Sequence, residues 1–182
     1  MQRATNAPLC GTNAHATRDK RPCYSNNIHT QQNMAQSISQ IYIHFIFHTK
    51  TTLFKRPHLE ELWSYVAGIA RTHGSFVIKV GGEPDHIHML CTLPRTVSMA
   101  DFAEEVKGSS SKWIKTKDVH YRNFKWQRGY AAFSVSQSQV ETVTRYIDNQ
   151  FEHHKKQKFE DEYLEWLVQY KAEFDPKFVL SD

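Results

Sequence analysis

His86 and His88 sit in the stretch Pro84-Asp85-His86-Ile87-His88-Met89-Leu90, which reads as a strand entered through a tight polar turn. Residues two apart on a strand share a face, so the two imidazoles stand side by side while Ile87, Met89 and Cys91 point into a core. Two imidazoles at this spacing can hold one divalent metal ion. Two surface histidines on a half-open sheet would show the same spacing. Further along, Tyr146 and Gln150 lie four apart in a helical pattern and are neighbours on one face. A phenol hydroxyl and a side-chain amide on the edge of an apolar stripe can be delivered to a metal site on the sheet, although an ordinary helix surface would also carry such residues.

The elements that must position these groups follow from periodicity. Residues 37–49 alternate as a first strand, with Ile41, Ile43, Phe45 and Phe47 on one face and Tyr42, His44, Ile46 and His48 on the other. Pro57 opens a helix carrying Leu59, Leu62, Trp63, Val66, Ile69 and Ala70 at helical spacing, and Gly74 ends it. Residues 76–80 form a short strand, Gly81 to Asp85 the turn, and the histidine strand completes a hairpin. Ser98 caps a second helix that holds Met99, Phe102, Val106, Trp113 and Ile114, with Gly108 and Ser109 to Ser111 as an interruption suited to close approach by another element. Residues 124–135 are the fourth strand region. Its aromatics alternate with Lys and Arg, which suits either base stacking or an ordinary core. The order strand, helix, strand, strand, helix, strand is the split βαβ plan. The expected class is α+β and ferredoxin-like, with a four-stranded antiparallel sheet, helices on one face and the other face open. A long helix over residues 138–158 follows, with the stripe Val140, Val143, Ile147 and Phe151. A last acidic helix over residues 159–170 packs through Tyr163, Leu164 and Leu167.

The length of 182 residues suits one domain with a tail. Residues 1–33 are polar and aperiodic, and are expected to be a disordered extension, with the domain spanning 34–182. The net charge of +4 is mostly in that extension, through Arg3, Arg18, Lys20 and Arg21 against Asp19. A more local basic field runs through Lys107, Lys112, Lys115, Lys117, Arg122, Lys125 and Arg128, opposed only by Asp118, and could hold phosphates. Three cysteines give no disulfide framework. No apolar run reaches the roughly 18 residues of a membrane span, and no signal-peptide core opens the chain, so a cytoplasmic protein is expected. Gly81-Gly82 lacks the spacing and following helix of a nucleotide-binding loop.

Pro84-Asp85-His86-Ile87-His88 resembles the His-hydrophobic-His motif of the HUH nucleases. Tyr146-Ile147-Asp148-Asn149-Gln150 resembles the catalytic helix of the single-tyrosine transposases of the IS200/IS605 type. The flanks from Trp126 to Ser136 and from Gln150 to Lys155 are also similar to that family, and the likeness spans about residues 37–174. The resemblance implies that His86, His88 and Gln150 bind Mg²⁺ or Mn²⁺ and that Tyr146 is the nucleophile. It implies a homodimer that acts on single-stranded DNA with hairpin ends, cleaves and rejoins it at element ends, and passes through a 5′-phosphotyrosine. A domesticated repeat-associated hairpin nickase would use the same residues, and a catalytically silent hairpin-binding protein is a further alternative.

The chemistry suits the residues. A phosphodiester repels nucleophiles and gains charge in the transition state, which a divalent metal offsets. A covalent phosphotyrosine keeps the bond energy for rejoining, so no ATP is needed. A structural zinc site calls for four closed protein ligands, and this set is incomplete.

Overall fold

A computed structural model describes residues 38–154 and 158–175. The expected disordered extension over residues 1–33 lies outside them. Four strands form one antiparallel sheet: β1 (Tyr42–His48), β2 (Val77–Glu83), β3 (His86–Thr92) and β4 (Ala131–Val135), in the order β2-β3-β1-β4. Helices α1 (Arg56–Thr72) and α2 (Met99–Ile114) supply the two crossovers. This is the ferredoxin-like split βαβ arrangement expected from the element order.

The alternation of each strand decides what each layer contains. Ile43, Phe45 and Phe47 of β1 and Ile87, Met89 and Cys91 of β3 pack with Leu62, Val66, Phe102 and Val106 from α1 and α2. Pro57 stands in the first turn of α1, and Gly74 beyond its end has φ 82°. The Ser98 hydroxyl caps α2 by accepting from Asp101 N at 3.1 Å. Gly108 does not interrupt α2. The helix runs through it, and apart from the helix's own neighbouring backbone no atom lies within 4 Å of where a Cβ would stand. Phe124 and Trp126, candidates for base stacking, are core residues packed on Phe54. Strand β4 itself begins only at Ala131.

The opposite face of the sheet is not open. Helices α3 (Val140–Asp148), α4 (Gln150–His153) and α5 (Phe159–Gln169) follow β4. Ile147 and Val143 of α3 pack on Leu90 and Val135, and Phe159 and Leu167 of α5 pack on Ile46, Ala131 and Phe133. The expected single long helix is broken at Asn149 (φ −94°, ψ 11°), and Phe151, expected in its apolar stripe, is 48 % exposed under the Arg56 guanidinium.

The β2–β3 hairpin brings α3 close. Strand β2 continues through Gly81, Gly82 and Glu83, so the turn is only Pro84-Asp85 rather than Gly81 to Asp85. Gly81 pairs with His88 across the ladder. A Cβ on Gly81 would stand 2.8 Å from Ile147 Cγ2 and 3.1 Å from the Ile147 carbonyl oxygen. The missing side chain is what allows the helix backbone to sit against the sheet beside His88. Gly81→Ala is therefore expected to destabilise by about 1–3 kcal/mol through overpacking. Gly108→Ala, in open space inside a helix, should instead stabilise by about 0.5–1 kcal/mol. Thermal melts of the two variants beside the parent check both signs, and an unchanged melting temperature in Gly81→Ala would count against the close approach.

Candidate active site

The register of the strands assembles the site. His48 pairs with His86, Ile46 with His88 and His44 with Leu90 across β1 and β3. The alternating side chains put His44, His86 and His88 on the face under α3 and α5. His86 and His88 are 0 % and 1 % exposed, with ring centroids 4.9 Å apart. Gln150, at the start of α4 and 2 % exposed, places Oε1 3.1 Å from His86 Nε2. Tyr146 of α3 meets the His88 ring edge-on, with centroids 5.4 Å apart. The four residues singled out in the sequence are thus brought together, and all come from one chain.

Five further groups complete the site; the sequence pattern put only His44, on the non-core face of the first strand, within reach of the histidine pair, and left the other four outside it. Asp85 does more than make the turn: its Oδ1 is 2.7 Å from His86 Nδ1. His44 Nε2 is 2.9 Å from His88 Nδ1. His154 Nε2 is 2.9 Å from Gln150 Oε1. On α5, Glu162 accepts a hydrogen bond from the Tyr146 hydroxyl at 2.5 Å and approaches His153 Nε2 at 2.7 Å. The final helix therefore packs as expected but also carries a carboxylate into the centre, where Glu162 is 3 % exposed. The available signal was Glu162 lying on the apolar stripe of Phe159, Tyr163 and Trp166.

The donor set fits a divalent cation. With Asp85 taking the Nδ1–H of His86, the Nε2 lone pair of His86 faces the Gln150 carbonyl oxygen, and two acceptors face one another 3.1 Å apart. His88 Nε2 is buried with no hydrogen-bond partner. A cation between these atoms resolves both problems. Two imidazoles and an amide leave coordination positions for substrate and water, unlike a closed zinc site. Among the described residues no three His, Cys, Asp or Glu side chains form a metal-binding group.

Burial sets the protonation states. Burial holds His44 down at about 3, against the pull of Glu162. Burial, then the neighbouring His86, keeps His88 well below the usual imidazole range. Burial and the Glu162 carboxylate push the Tyr146 phenol well above its usual range. Burial would raise Glu162, but hydrogen bonds from His154 and Tyr146 and the charge of His153 bring it below its ordinary value. Burial would lower His154, and Glu162 with Asp85 and Glu83 raises it instead.

The signs of these last two shifts give a pH window. A depressed carboxylate stabilises the fold above its unfolded pKa of about 4.3 and loses that as pH falls through its folded value. A raised imidazole stabilises below about 6.5 and loses that as pH rises through its folded value. In EDTA-treated protein, Glu162→Gln should therefore cost most between about pH 4.3 and 6.5, by about 1 kcal/mol after solvent screening at His153, or about 2–4 °C in melting temperature. A difference that stays constant from pH 3 to 9 would remove the ion pairs from the account of how α5 is held.

The profile of the IS200-like transposases matches residues 37–150, which include His86, His88, Tyr146 and Gln150 but not α5. The ISDra2 transposase TnpA of Deinococcus radiodurans is 26 % identical over 87 residues, which is 45 % of this chain and 62 % of that protein. The chain thus spans somewhat under two thirds of that curated relative. A crystal structure from Deinococcus radiodurans R1, assigned as a transposase, superposes with a TM-score of 0.50 at 21 % identity, covering 66 % of this chain and 98 % of that one. The structure of a REP-associated tyrosine transposase bound to a REP hairpin superposes with a TM-score of 0.51 at 14 % identity, covering 84 % and 94 %. These two likenesses concern the fold.

Proposed function

Because the chain belongs to the family of IS200-like transposases, we propose that it cleaves and rejoins single-stranded DNA carrying hairpins at element ends, through a 5′-phosphotyrosine on Tyr146. The observation that carries this is the convergence of Tyr146, His88, His86 and Gln150 on one buried point beneath α5. His86, His88 and Gln150 would hold Mg²⁺ or Mn²⁺, which when bound would draw charge from a non-bridging oxygen of the scissile phosphate. Tyr146 Oη bonds the phosphorus, the bond to the 3′-oxygen breaks, and a free 3′-hydroxyl leaves. The phenolic hydrogen already points at Glu162 Oε1. The reverse attack by a 3′-hydroxyl rejoins a strand, so no external energy source enters.

In the arrangement described here the ligand atoms are covered by α5: Phe159 stacks on His86 with centroids 4.3 Å apart, and Trp166 lies 5.2 Å from the Tyr146 ring. A phosphodiester reaches these atoms only when α5 shifts outward. A homodimer is part of the proposal by family resemblance; within the single chain Tyr146 lies beside His88.

The test is a denaturing gel of protein incubated with labelled single-stranded DNA from the flanks of its own gene, with Mg²⁺ or Mn²⁺. A shifted band that survives denaturation supports transesterification and reveals the cleavage position. An adduct only on repeated hairpins elsewhere favours the repeat-associated nickase. Hairpin binding without an adduct on any of these DNAs favours the silent binding protein.

A further inference from the structure

We propose that His44 is a positioning residue for the metal ligand His88, holding the tautomer in which His88 Nε2 carries its lone pair. The inference rests on the reading of His86, His88 and Gln150 as ligands.

A neutral imidazole has one N–H and one lone pair. The 2.9 Å contact between His44 Nε2 and His88 Nδ1 therefore has two solutions. In one, His88 donates from Nδ1 and its Nε2 is left with a lone pair. In the other, His44 donates, and His88 carries its hydrogen on Nε2. Each solution leaves one buried ring N–H without an acceptor, His44 Nδ1–H in the first and His88 Nε2–H in the second, so hydrogen-bond satisfaction alone does not choose between them and the metal does. Only the first solution can ligate a metal. The first solution is also the one in which His44 serves His88 as Asp85 serves His86, 2.7 Å from its Nδ1. Each imidazole of the pair thus has its own orienting acceptor.

The geometry keeps His44 in that role. It stands opposite Leu90 and diagonally from His88 across the β1–β3 ladder. Its ring is 0 % exposed, stacks on His88 with centroids 5.0 Å apart, and meets Trp166 edge-on at 4.8 Å. The acceptors also differ in a way that matches their depth. Asp85 is at the solvent side of the hairpin turn, with a side chain 37 % exposed, whereas a carboxylate in the position of His44 would be a buried charge beneath an indole. A neutral imidazole accepts the same hydrogen bond there without a buried charge, at the smaller cost of a buried His44 Nδ1–H that has no partner.

The experiment is a Mn²⁺ titration, read by electron paramagnetic resonance without DNA, on the parent, His44→Phe, His44→Gln and His86→Ala. Phe fills the space but cannot accept; Gln offers an acceptor oxygen in a less similar shape. The expected result is parent binding that His86→Ala abolishes, a Kd raised about 10- to 100-fold in His44→Phe, and a Kd within about threefold of the parent in His44→Gln. Melts of the metal-free proteins confirm that the variants compared are folded. A purely packing role predicts the reverse order, Phe retained and Gln impaired, and would overturn the proposal, as would parent affinity in both. Parent protein that binds no Mn²⁺, or binds it unchanged in His86→Ala, would overturn the ligand assignment itself, and the role of His44 with it.

Discussion

Tyr146→Phe is expected to abolish the covalent protein–DNA adduct, with a loss of at least about 10⁴-fold in rate, while leaving the fold and hairpin binding intact. The size follows from removing the nucleophile itself; the remaining groups can still bind and polarise the phosphate but have nothing to attach to it. The substitution is mild structurally. It deletes one oxygen from a ring packed between His88 and Trp166, and Glu162 Oε1 keeps its contact with His153 at 2.7 Å. The lost hydrogen bond to a charged acceptor should cost about 1.5–3 kcal/mol of stability, readable in a melt. The same denaturing gel gives the result, with an electrophoretic mobility shift on the labelled hairpin for binding. An adduct formed at the parent rate by Tyr146→Phe would assign the nucleophile elsewhere and end the phosphotyrosine reading for this residue.

His88→Ala should lower the cleavage rate by about 10³-fold. A metal that polarises the phosphoryl oxygen supplies several kcal/mol in the transition state, and each 1.36 kcal/mol is tenfold. His88 is the more informative of the two ligands to remove, because Asp85 orients His86 from the turn while His88 is buried against His44 and Tyr146. EDTA applied to the parent should reproduce the loss, and EDTA applied to His88→Ala should add little to it. Cleavage at full rate by EDTA-treated parent would exclude the proposed metal dependence. A melt accompanies the kinetics, since deleting a 1 % exposed side chain also leaves His44 Nε2 without its partner. Metal-site loss and unfolding are then separated by whether the metal-free proteins melt alike.

The parts of this protein legible in its sequence are those governed by local periodicity. Alternation in residues 42–48 and 86–92 separates the core face from the face that carries His44, His86 and His88, because successive side chains on a strand must point to opposite sides. The four-residue spacing of Tyr146 and Gln150 similarly aligns both with one surface, and it survives the break at Asn149 because α4 resumes at once. The order of strands and helices, read with the right-handed crossover, leaves few topologies open, and the ferredoxin-like sheet is the one observed.

What only the tertiary structure decided is which distant groups meet over that face. The sequence pattern makes the sheet one-sided, yet α3, α4 and α5 cover the second side, since Phe159, Leu167, Val143 and Ile147 bury more apolar surface there than an open face would allow. The approach of α3 depends on an absent side chain at Gly81, and a missing Cβ has no periodicity to detect. Glu162 reaches Tyr146 from sixteen residues away, and His44 reaches His88 from forty-four. Such pairs depend on strand register and on helix docking, which are sums of many weak contacts spread along the chain. A local stretch of sequence specifies which side chains can do chemistry and which way they face. The partners that orient them, and the helix that covers them, exist only once the whole layer has packed.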